Sequence, residues 1–141
     1  SALGLSQLKR LGENVRRRQA IASRYDNAFE TLPGIAPLQN LEGNSNAYHL
    51  YVIRLDLNTL TVDRGGVFAA LRSENIGVNV HYAPVPWHSY YRNLGYEPGG
   101  WPVAERIYEE ILSLPIFPAM SDEDASDVIT AVDKVLTAYR R

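Results

Sequence analysis

Apolar residues recur at Leu8, Leu11, Val15, Ala22, Tyr25, Phe29 and Leu32, with charged residues between them. This three-and-four spacing predicts one long amphipathic helix over residues 3–32. Pro33-Gly34 ends it, because proline disfavours helical geometry at the residue before it and glycine permits the turn. At ~1.5 Å per residue the helix exceeds ~40 Å, more than a compact domain of this size covers along one side. Part of it is therefore expected to rest on something outside the chain. Ser1-Ala2-Leu3-Gly4-Leu5 enters the helical pattern with no lead-in loop, as a cut helix would.

Residues 36–47 form a polar stretch with Asn40, Gly43, Asn44, Ser45 and Asn46, and predict a loop. Tyr48–Leu55 is rich in aromatic, aliphatic and β-branched residues and predicts a strand, with His49 a structural residue near its start. Asp63 is placed to cap a helix running through Val67, Phe68 and Leu71 to a stop at Glu74-Asn75. Gly77 then allows a turn into an alternating run. Val78, Val80 and Tyr82 point to one face, and Asn79 and His81 to the other. A loop broken by Pro84 and Pro86 follows, holding Trp87, His88, Tyr90 and Tyr91 outside regular structure. Residues 92–100, rich in glycine, extend that loop.

Pro102 suits a first helical turn, and Ala104, Ile107, Tyr108 and Ile111 form the apolar stripe of the helix it begins. Leu112–Ile116 predicts an edge strand, since Pro115 cannot donate to a ladder. Ser121-Asp122-Glu123-Asp124 resembles a capping box ahead of a last helix with Val128, Ile129, Val132, Val135, Leu136 and Tyr139 on one side. These elements predict an α+β fold: a small, mostly antiparallel three-stranded sheet with helices packed on one face, preceded by the long helix.

The 141 residues suit one domain and bury about two thirds of the unfolded surface. A net charge of −2, with Arg16-Arg17-Arg18 the one basic run, gives nucleic acid little attraction, and three arginines on a helix read as a solvated face. The absence of cysteine excludes disulfides and thiolate metal sites and fits a reducing cytoplasm. No apolar run approaches the ~18 residues of a membrane span.

Two histidines, four tyrosine or tryptophan rings and Asn79 lie within Gly77–Tyr91. Singly, each reads as a core or surface residue; together they favour a binding surface. A hydrolase would draw on Ser89 beside His81 or His88, but no Gly-x-Ser-x-Gly elbow surrounds it. His49, His81 and His88 lack metal-ligand spacing. Gly65-Gly66 and Gly99-Gly100 fit neither a P-loop nor a dinucleotide fingerprint. From the residues alone the reading stops at a ligand-facing α+β domain.

A set of motifs carries the reading further. They are Ala2-Leu3-Gly4-Leu5-Ser6-Gln7-Leu8, Arg16-Arg17-Arg18 with Ala22-x-x-Tyr25-Asp26, and Tyr48-His49-Leu50-Tyr51-Val52-Ile53-Arg54. Val78-Asn79-Val80-His81-Tyr82-x-Pro84-Val85, Tyr90-Tyr91-Arg92, Pro102-x-Ala104-Glu105 and Leu112-Ser113-Leu114-Pro115-x-x-Pro118 complete it. As a set they resemble the C-terminal part of the DegT/DnrJ/EryC1/StrS aminotransferases, PLP-dependent enzymes of nucleotide-linked keto sugars.

The resemblance implies the small domain of a fold-type I PLP transferase, with 1–141 as that single domain and 1–32 as a helix bridging to a preceding large domain. The large domain would supply the Schiff-base lysine, the acid beside the pyridine nitrogen and the phosphate contacts. Here only Lys9 and Lys134 occur, outside any matching motif, so no PLP is expected on this chain alone and no catalytic residue lies within it. The intact enzyme would be a cytoplasmic homodimer moving an amino group from glutamate to C4 of a UDP-linked 4-keto-6-deoxy sugar for surface polysaccharide or glycan synthesis. The resemblance makes His81, Tyr82, Tyr90 and Tyr91 substrate-side residues, with Asn79 beside them. The family commonly places histidine where this chain has Pro86, with His88 two residues later; either His88 substitutes through a shifted loop or that contact is absent, which leaves the exact sugar open. The alternative is a stand-alone, non-catalytic module binding a sugar nucleotide or a protein partner through the same face.

Overall fold

The computed structural model describes residues 2–141; Ser1, where the expected domain begins, lies outside the described residues. Helix α1 runs over Ala2–Phe29, and Gly34 at φ 90° makes the turn that follows it. Strands β1 (Ile35–Pro37), β2 (Tyr51–Leu55) and β3 (Ile111–Leu114) form one antiparallel sheet in the order β1-β2-β3. Register pairs Ile35 with Leu55 and Ile53 with Leu112, so Tyr51, Ile53, Leu55, Leu112 and Leu114 share one face.

That face is the core. It packs against Ile21, Ala22, Tyr25 and Phe29 of α1, Val67 and Leu71 of α2 (Arg64–Ser73), and Ala125, Val128, Val132 and Leu136 of α5 (Asp122–Tyr139). Tyr25, Phe29 and Tyr51 meet as a ring cluster, with Tyr25 edge-on to Tyr51 at 4.9 Å. The expected caps are in place: Asp63 accepts from Gly66 N at 2.8 Å, and Ser121 and Asp124 form a reciprocal capping box. Helix α4 (Pro102–Glu110) begins on proline as its sequence predicts, yet buries no residue; Ile111 belongs to β3.

Several expectations are corrected. The alternating run from Gly77 is not a sheet strand, since only Asn79 pairs, in a single antiparallel bridge with Ser113. Its faces are nonetheless sorted as the alternation predicts at Val78, which is buried, and Asn79, which is exposed, whereas Tyr82 is 69% exposed and no part of the core. The third strand is β1, in the stretch read as loop. β2 starts at Tyr51 rather than Tyr48 because Tyr48 sits at φ 47°, which no strand accommodates; His49 is exposed ahead of it. The proline-broken loop also holds regular turns: a 3-10 turn at Val85–Trp87 and the short helix α3 over Ser89–Arg92.

The arginine run is only partly solvated. Arg17 donates to Met120 O at 2.6 and 3.2 Å and pairs with Asp122 at 2.8 Å. Arg24 reaches the same carboxylate at 3.2 Å and Ser126 Oγ at 2.8 Å. The two arginines tie the middle of α1 to the start of α5.

Candidate substrate-facing site

Asn79 pairs with Ser113, which places both on the sheet face opposite the core, beside Val52 and Arg54 of β2. His81, two residues on, turns its ring to the same place: Nδ1 lies 2.9 Å from Ser113 Oγ. Ser113 is 4% exposed, the one buried polar residue among those described. A buried hydroxyl needs a partner, and the imidazole supplies it. Tyr82 packs edge-on against His81 at 4.7 Å, and the peptide between them is cis. Asn79 Oδ1 accepts from Val80 N at 2.8 Å, which fixes the carboxamide locally. Arg54 pairs with Glu110 on this face.

Tyr90 and Tyr91 form a second group on α3, where their rings meet edge-on at 5.3 Å. Tyr91 contacts Tyr96 at 5.8 Å, and Tyr96 stacks on Trp101 at 5.4 Å and 10°. Trp87 lies edge-on to Tyr108 at 5.5 Å, with the Arg64 guanidinium 4.9 Å from the Tyr108 ring centre. Tyr90 is exposed and Tyr91 half-buried. Among the described residues no ring contact links this group to His81 and Tyr82. His88 is exposed at the start of α3 and joins neither group through its side chain; its carbonyl accepts from Tyr91 N and Arg92 N.

Two participants escape the sequence reading. Ser113 shows only as a position of the Leu112-Ser113-Leu114-Pro115 motif, with no role attached, although a hydroxyl in an otherwise apolar strand signals a required partner. Glu105 shows only as a position of the Pro102-x-Ala104-Glu105 motif, with no role attached, although an acid in the first turn of α4 is also favoured by the helix dipole.

The arrangement can orient a ring-bearing polar ligand through an imidazole nitrogen, phenol hydroxyls and exposed ring faces. It cannot form an imine. Lys134 Nζ is held by both oxygens of Glu74 at 2.8 Å, and Lys9 lies on the exposed first half of α1. The lysines present do not fit a PLP Schiff base. No group of three or more His, Cys, Asp or Glu that could hold a metal is found among the described residues, and no described helix is long and apolar enough to cross a membrane.

A three-stranded antiparallel sheet covered by helices on one face, with Asn79 and His81 held over Ser113 on the other, defines a small α+β domain. Residues 1–133 match the DegT/DnrJ/EryC1/StrS aminotransferase family, and the chain belongs to that family. It is 45% identical over 139 residues to the spore coat polysaccharide biosynthesis protein SpsC of Bacillus subtilis, covering 96% of this chain and 36% of SpsC. The aminotransferase TlmJ from Streptoalloteichus hindustanus superposes with a TM-score of 0.84 at 36% identity, covering 96% of this chain and 35% of that one. Helicobacter pylori PseC, an aminotransferase involved in the biosynthesis of pseudoaminic acid, gives 0.88 at 29% identity, covering 98% and 37%. The three-stranded sheet and its helices match the small domain of the aminotransferase fold. The chain spans little more than a third of the length of these relatives.

Proposed function

We propose that the chain is the C-terminal, substrate-side domain of a PLP-dependent sugar-nucleotide aminotransferase, with α1 as the bridge from a preceding large domain. One observation carries this reading: a third-length match to aminotransferases in a chain whose lysines are not placed for an imine, yet which holds a histidine against Ser113 of its sheet. In the intact homodimeric, cytoplasmic enzyme, PLP on the large domain supplies the electron sink for amino transfer. This chain's residues bind and orient the sugar nucleotide. His81, Tyr82, Tyr90, Tyr91 and Asn79 are its contacts, and His88 takes the place of the histidine that Pro86 displaces.

The finer reading concerns the substrate. Val78-Asn79-Val80-His81-Tyr82 and the Tyr90-Tyr91 pair support a pseudaminic acid pathway enzyme, a UDP-4-amino-4,6-dideoxy-N-acetyl-β-L-altrosamine transaminase that takes its amino group from glutamate. The likeness to PseC lends this support; the name of SpsC points instead to a spore coat polysaccharide.

The test begins with the reading frame upstream of Ser1. An in-frame segment of domain size carrying a candidate imine lysine, followed by glutamate-dependent amination of a UDP-linked 4-keto sugar, is the expected result. A start codon directly before Ser1 overturns it and favours the stand-alone binding module, for which the self-contained core of residues 21–136 is the supporting observation.

A further inference from the structure

The segment from Val85 to Trp101 is held mostly by itself. Tyr91, Arg92 and Asn93 bond back to His88 and Ser89, Gly95 to Arg92, Tyr96 to Tyr91, and Gly100 to Glu97. Its rings likewise pack on one another, from Tyr90 through Tyr91 and Tyr96 to Trp101. A lobe built of local contacts needs a tie to the body, or it swings as a unit.

Glu105 supplies that tie. Its Oε1 accepts from Gly99 N at 2.8 Å, Trp87 Nε1 at 3.3 Å and Trp101 N at 3.4 Å, and its Oε2 accepts from Gly99 N at 3.0 Å. One half-buried carboxylate thus gathers the beginning of the lobe, its end and the helix that leads into β3. Hydrogen bonds to an ionised acceptor are the stronger kind. Trp87 on Tyr108 is the apolar counterpart on the same helix.

We propose that Glu105 is a positioning residue: its carboxylate closes the aromatic lobe of residues 85–101 onto α4 and so fixes where Tyr90 and Tyr91 meet the sugar nucleotide. The proposal rests on the substrate-side reading of that lobe. Glu105 touches no substrate in this scheme; it acts through the two tyrosines.

Trp87 and Trp101 are the only tryptophans and both sit at the clasp, so intrinsic emission reads it directly. In this chain, Glu105→Ala is expected to move the emission to longer wavelength, raise its quenching by acrylamide, and speed amide exchange across 88–101 by about ten- to a hundredfold, the range for losing one charge-assisted hydrogen bond. Exchange in α5 and β2 stays unchanged. Glu105→Gln, which keeps an acceptor without the charge, falls between; Trp87→Phe, which removes one donor and keeps a ring on Tyr108, loosens the lobe less than Glu105→Ala.

Unchanged emission and exchange in both Glu105 variants overturn the clasp. In the full-length aminotransferase that the proposed reading requires, Glu105→Ala is expected to raise KM for the UDP-sugar several-fold with little change in kcat. A loosened lobe with unchanged KM overturns the positioning role. Failure of the unaltered full-length protein to aminate any UDP-keto sugar counts against the functional reading, whereas the clasp stands or falls on the emission and exchange of this chain.

Discussion

His81 and Ser113 come from segments joined by one β-bridge, yet their side chains meet at 2.9 Å between Nδ1 and Oγ. The hydroxyl lies in the floor of the sheet and the imidazole lies half-buried above it. With Nδ1 engaged, the tautomer follows from the role the hydroxyl takes, and the ring's orientation is fixed. Ser113→Ala removes that restraint. It is expected to cost about 1 kcal/mol of stability and to replace one set of imidazole nitrogen shifts by an exchanging average in NMR. Ser113→Thr, which retains the hydroxyl, should restore them. Identical His81 shifts in the alanine variant would show that Ser113 does not orient the ring.

Tyr51 donates to Asp26 Oδ1 at 2.7 Å from within the core. Burial and then this bond push its phenol far above the ordinary tyrosine range, and burial does the same to Tyr25. Both groups bind their proton more tightly folded than unfolded. Their contribution is full below the unfolded value of ~10 and is lost as pH rises from there toward the folded values. Ultraviolet titration should show these phenols lagging the other tyrosines until the chain unfolds. Tyr51→Phe should cost about 1.5–3 kcal/mol near neutral pH, the range for a hydrogen bond to a charged group, and should flatten the alkaline loss of stability. A variant as alkali-sensitive as the parent would place the effect elsewhere.

Periodicity exposed the long helices because three-and-four spacing over many residues has no competing explanation, as α1 and α5 show. It failed where pairing, rather than burial, defines the element. Val78 is buried and Asn79 exposed as alternation predicts, but alternation reports faces and not ladder bonds, and only Asn79 finds a partner on β3. β1 was hidden by its length: three residues ending in Pro37 carry no period, and an edge strand tolerates that proline. In the site, the aromatic cluster was legible from composition. Its organisers were not, because Ser113 and Glu105 act through partners 32 and 18 residues away, His81 and Trp87, and sequence spacing carries no sign of such contacts.

Asp122 holds both Arg17 and Arg24 at the start of α5. Its bond to Arg17, together with the charges of both arginines, keeps the carboxyl below the usual carboxylate range, and the capping bonds from Ser121 do the same for Asp124. A depressed folded value means stability that is full above the unfolded value of ~3.9 and is lost as pH falls from there through the folded values. Asp122→Asn should therefore lower the urea midpoint at pH 7 and narrow the difference between that midpoint and the one in acid. The same difference as in the parent would show that the α1–α5 clamp contributes nothing to acid sensitivity.

Helix α1 is two helices in energetic terms. Ile21, Ala22, Tyr25 and Phe29 are buried in the core, whereas Leu3, Leu5, Leu8 and Leu11 are exposed, Leu8 at 64%. Phe29→Ala empties a close-packed site and should cost about 3–5 kcal/mol. Leu8→Ala removes nothing the chain itself covers and should fall within about 0.5 kcal/mol of the parent. Amide exchange should follow the same division, fast over the first three turns and slow from Ile21 to Phe29, because an uncovered helix end is marginal in water. If α1 bridges to a large domain, the pattern reverses in the longer protein: Leu8→Ala becomes costly there and the first turns gain protection. Slow exchange at Leu8 in this chain alone would contradict the division and require a partner surface that these 141 residues themselves provide.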